Sequence, residues 1–169
     1  MLGPVPLDLL KRVQRDVAMR SVKIEGYAHP NEWCGYVFRA GDTFDYVMAE
    51  GAIGGGVVMD VPPNSIAQFH SHPPGFGFAL GSADSLYLNR ASSSLSKHRP
   101  GDVQGWAAVD GIWRVHGIRY AYVFGPTEIN LYDLAALTGD PMDIHNCVTI
   151  LSGADVRWPL HEAYAAALS

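Results

Sequence analysis

The sequence predicts a mixed α/β (α+β) fold, a largely antiparallel sheet flanked by helices, and three observations predict it. A chain of 169 residues suits one compact domain spanning positions 1–169. Its apolar fraction is 48% against 17% charged, which is enough to fill a core and excludes wholesale disorder. Its periodicities run helix, strands, helix, strands, with turn residues between the strand runs.

The first helix is predicted over 7–19. Apolar residues stand at 7, 9, 10, 13, 17 and 19, which is helical spacing, and Pro4 and Pro6 lead into it. After 21–27 comes a turn at His29-Pro30-Asn31. Trp33 to Phe38 predicts a strand, closed by Gly41-Asp42 and paired back by Phe44 to Met48. Gly51 to Gly56 holds four glycines. It lacks the Lys and Ser/Thr of a phosphate loop and the spacing of a dinucleotide fingerprint, so it is a flexible connector.

Ile66 to His72 predicts a buried strand running into a Pro- and Gly-rich loop, 73–81. Ser82 then caps a helix over 83–95, and Arg99-Pro-Gly-Asp102 ends that block. Asp110-Gly111 between Gln104–Val109 and Ile112–Val115 predicts a hairpin. Arg119 to Phe124 and Glu128 to Tyr132 predict a second strand pair around Gly125-Pro126. Beyond Asp133 the pattern weakens until a terminal helix at about 159–168, with Pro159 in its permitted early position.

Charge and composition narrow the function classes. The net charge is −5, and the twelve Lys and Arg residues are scattered, so no basic stripe marks a nucleic-acid partner. The apolar runs fall short of the roughly 20 residues a membrane span needs. Basic residues interrupt the N-terminal apolar segment, unlike a secretory signal. The expectation is a cytoplasmic protein, or one secreted without a cleaved signal as part of a larger effector. Cys34 and Cys147 are too few for a disulfide framework or a cysteine-type structural zinc site.

The chemistry concentrates in Phe69-His70-Ser71-His72-Pro73. Side chains at i and i+2 of a strand point to the same side, so His70 and His72 can aim two imidazoles at one point. Pro73 stops the strand there. A catalytic zinc takes three protein ligands and leaves the fourth position to water. Asp84, in the first turn of the helix expected after the loop, is the natural third ligand. Glu32, at the head of the strand Trp33–Phe38, is the candidate general base. Ser82 either caps its helix or polarises the oxyanion of a tetrahedral intermediate.

The set Glu32-Trp33-Cys34-Gly35 followed by His70-Ser71-His72-Pro73 and Ser82-Ala83-Asp84 resembles the JAB/MPN (JAMM) metalloproteases, in a bacterial branch. Their pattern is Glu-x-x-Gly, then His-x-His, ten residues, and Asp, with Ser three places before the Asp. The resembling motif covers 32–88. Here eleven residues separate His72 from Asp84, and Gly81 occupies the family's serine position, with Ser82 one step later. The resemblance implies the JAB/MPN-like (cytidine deaminase-like) fold, a zinc ion on His70, His72 and Asp84, and hydrolysis of peptide or isopeptide bonds. The partner implied is a protein or peptide substrate, including ubiquitin-like chain ends.

Two other readings stand beside it. Trp33-Cys34-Gly35-Tyr36 resembles the tryptophan-cysteine start of amidase-type cysteine peptidases, with Cys34 as nucleophile and a histidine as base. A scaffold of this fold that has lost catalysis would be an interaction module. Away from the motif, His29, His98, His116, His145 and His161 read as surface or ordinary polar packing. Trp106, Trp113, Tyr120 and Tyr122 read as core or sheet-face residues on strands, and Asp102 and Asp110 as turn residues.

Overall fold

The computed structural model describes residues 3–20, 32–51, 59–73 and 88–156. They form a six-stranded sheet in the order β2-β1-β3-β4-β5-β6. The strands are β1 (Trp33–Ala40), β2 (Thr43–Glu50), β3 (Ser65–Ser71), β4 (Tyr120–Phe124), β5 (Glu128–Asp133) and β6 (Cys147–Ser152). Every pairing is antiparallel except β3 with β4. Parallel neighbours need a crossover between them. Residues 72–119 supply it, and the described part of that crossover carries α2 (Asp102–Ala107) and α3 (Ile112–His116).

Alternation along the strands gives the sheet two faces. One face packs under α1 (Leu7–Arg20), whose Leu10, Val13 and Val17 meet Phe69, Tyr122 and Phe124. Leu10, Val13 and Val17 are each at most 1% exposed. Burial of that kind contributes about 1.5–3 kcal/mol per side chain. The opposite face carries Val103, Trp106, Ala121, Val123 and Tyr132. The described part of the crossover covers this face, and it is the face to which Gln68 and His70 of β3 point.

Gly35 explains why β1, β2 and β3 lie so close. A Cβ there would overlap the Val47 carbonyl oxygen and the tip of the Phe69 ring. The glycine of the Glu-x-x-Gly pattern is thus a packing requirement; its φ is not in the left-handed region.

Two expectations are corrected. The hairpin expected around Asp110-Gly111 is absent: 102–107 and 112–116 are helices. A type I′ turn needs positive φ, and Gly111 has φ −64. Glycine stands there because a Cβ would run into the Trp106 carbonyl oxygen, and Gly111 N–H donates to Ala108 O at 2.9 Å. The helix expected over 83–95 is helical at Leu88 and Asn89 among its described residues, and 91–99 is irregular. That stretch folds back on the start of α2 instead, with Gly101 N–H on Ser94 O at 3.1 Å and Val103 N–H on Ser92 O at 3.2 Å. Trp106 therefore sits on a helix and not on a strand.

Strand β6 lies where no strand was expected. The first helix and β1 to β5 match their expected positions to within two residues. Ser82, Asp84 and the terminal helix expected at 159–168 lie outside the described residues.

Candidate metal centre

Near the end of β3, His70 faces α2, and His72 follows one residue beyond the last strand residue, Ser71. Both are 8% exposed. The backbone N–H of His72 donates to Phe124 O at 2.9 Å, carrying the β3–β4 ladder past the last strand residue and fixing where the second imidazole starts. Its Nδ1 lies 3.2 Å from the Leu88 carbonyl oxygen. A carbonyl only accepts, so Nδ1 carries the proton and Nε2 keeps its lone pair for the site.

The third member is Asp102, in the first turn of α2. Its Oδ2 lies 3.1 Å from His70 Nε2 and 3.4 Å from His72 Nε2, and the two Nε2 atoms are 3.1 Å apart. Tetrahedral ligands at roughly 2.0–2.1 Å from a zinc ion are about 3.3–3.4 Å apart. The triangle of two nitrogens and one oxygen is therefore close to the size that one such ion spans. Two imidazoles and a carboxylate are also a donor set that zinc accepts. His70, His72 and Asp102 form a group able to hold a metal ion.

Asp102 is tied down as firmly as the histidines. Ser92 N–H donates to its Oδ2 at 2.7 Å, and Asp102 N–H donates to Ser92 Oγ at 3.0 Å. Burial alone would raise its carboxyl. The charge and hydrogen bonds of His70 and His72 outweigh that and hold it well below the usual carboxylate range. Burial likewise works to lower His72, but the Asp102 carboxylate, the charge of Glu32 and the Leu88 carbonyl prevail and raise it.

Glu32 immediately precedes β1. The register that sets Cys34 opposite His70 and Gly35 opposite Phe69, continued by two residues, brings Glu32 level with His72. Ser71 Oγ accepts from Trp33 N–H at 2.9 Å and holds the two strand ends together there. The Glu32 charge is felt at both His72 and Cys34. Cys34 lies on the same face but is 7% exposed, and burial, then the charges of Glu32 and Asp102, push its thiol up to about 12.

The structure thus brings together His70, His72 and the end of β1 that bears Glu32, as the sequence predicts. It adds Asp102, read from the sequence as a turn residue. Asp102 stands thirty residues beyond His72 in an Arg-Pro-Gly-Asp stretch, and local pattern carries no sign that its loop returns to β3. The chain matches no family model, no curated protein and no solved structure.

Proposed function

We propose that this protein is a zinc-dependent hydrolase of peptide or isopeptide bonds, of the JAB/MPN type that the Glu32, His70 and His72 motif resembles. The single observation carrying the reading is the convergence of His70 Nε2, His72 Nε2 and Asp102 Oδ2 within 3.4 Å of one another. Those three residues would hold the ion. Bound there, zinc supplies Lewis-acid polarisation of the scissile carbonyl and lowers the pKa of a water to about 7. Glu32, level with His72, takes the proton of the attacking water and returns it to the leaving nitrogen. Leu88 and Ser92 hold the ligands in place from outside, through the His72 Nδ1–H and the Asp102 carboxylate. The buried Cys34 thiol, at about 12, does not favour the thiol-hydrolase reading.

The test is amide and isopeptide hydrolysis by the purified chain, with and without chelator. Glu32→Gln is expected to keep zinc and lose 10²-fold or more in rate, on the order of what general-base removal costs. His72→Ala is expected to lose both zinc and activity. Alkylation at Cys34 should leave activity unchanged. Metal-independent binding of a partner with no turnover of any amide would sink the enzyme reading in favour of an interaction module.

A further inference from the structure

Helix α2 brings two side chains to the metal centre, and the mechanism above uses one of them. Asp102 and Trp106 are four residues apart and so lie on one face of the helix. Asp102 reaches His70 Nε2, and Trp106 lies against the same imidazole, with ring centroids 5.7 Å apart and planes at 54°. The His72 ring stands edge-on to the same imidazole at 4.8 Å. Trp106 is 7% exposed.

The indole is itself anchored. Trp106 Nε1–H donates to Gln68 Oε1 at 2.9 Å, and Gln68 Nε2–H donates to Tyr36 OH at 3.4 Å. Gln68 is two residues before His70 and on the same face of β3, so the strand that carries the ligand also carries the anchor of the wall beside it. Chain order is thus Tyr36 to Gln68 to Trp106 to the His70 ring.

An imidazole swings freely about its terminal torsion, where no sharp rotamer well exists. A small swing of His70 would carry Nε2 off the point shared with His72 and Asp102. We propose that Trp106, held by Gln68, is a positioning residue for the metal centre: it fixes the His70 ring so that Nε2 stays on that point. The proposal rests on the metal reading given above.

Loss of an outer partner of a metal-ligating histidine costs about 10–100-fold in metal affinity. The experiment measures zinc affinity of the apo-protein by competition with a chromophoric chelator, alongside the visible spectrum of the cobalt(II) form. Trp106→Phe, which keeps an aromatic ring but loses the N–H, and Gln68→Leu, which removes its acceptor, are each expected to bind zinc about tenfold more weakly and to shift the cobalt bands. Trp113→Phe, a partly buried tryptophan on α3, is expected to change neither.

Tyr36→Phe alters only the far end of the chain. It keeps the proposal testable should the larger changes prevent folding, with a smaller loss of affinity expected. Unfolding midpoints in excess chelator separate the two possible roles. Lowered midpoints with wild-type zinc affinity in the folded variants would overturn the proposal, because they would make Trp106 and Gln68 core residues only. A wild-type chain that binds no zinc would instead end the metal reading on which the proposal stands.

Discussion

At His72 three constraints meet: its N–H is on Phe124 O, its Nδ1 on Leu88 O, and its Nε2 beside Asp102 and His70. These constraints set the sign of a pH effect. The raised pKa of His72 contributes stability that is fully present below the unfolded value of 6.5 and is lost as pH rises through the higher folded value. The depressed Asp102 acts at the other end, its contribution being lost only as pH falls well below 3.8. Chelator-treated protein should therefore lose stability as pH rises above 6.5 and through the higher folded value. Zinc-loaded protein should gain it over the same range, because the ion needs neutral imidazoles and protons compete with it. Thermal unfolding midpoints at a series of pH values measure both. Parallel curves with and without zinc would contradict the ligand assignment.

Strands and helices differ in how plainly the sequence announces them. β1 to β5 are legible because apolar runs end at Gly41-Asp42, Pro62-Pro63-Asn64 and Gly125-Pro126, which stop strands whatever packs on them. α2 and α3 are not, because Asp110-Gly111 carries the strongest short hairpin signal and here serves close backbone approach instead. β6 escapes notice because it is a half-exposed edge strand. A register shift opposite Ile129 and Asn130 spoils its alternation, and Thr149 and Ile150 lie in that shift. The element that most depends on one small residue is β1. Gly35→Ala is expected to destabilise the fold by about 2–3 kcal/mol, since its methyl has only a neighbouring backbone and an immobile ring to displace. Urea unfolding checks it, and a variant as stable as wild type would show that β1 and β2 can separate at no cost.

Across the whole molecule, the sheet divides two kinds of work. On the α1 side the interior is apolar, with Phe69 and Tyr122 fully buried. On the other side the same strands present Gln68 and His70 toward α2. The sequence shows one half of this centre: a His-x-His at a strand end can face only one way, and that follows from a period of two. The other half, Asp102 and Trp106, arrives through a long crossover whose path is set by tertiary packing. No local pattern between His72 and Asp102 encodes it.

If His70, His72 and Asp102 share one divalent cation, zinc-edge anomalous scattering from crystals grown with zinc will reveal it. The expected result is an anomalous peak bonded to the two imidazole Nε2 atoms and to Asp102 Oδ2, and its loss in Asp102→Asn. A peak on the two histidines with the Asp102 carboxylate out of bonding reach, or no peak between them at all, would contradict it.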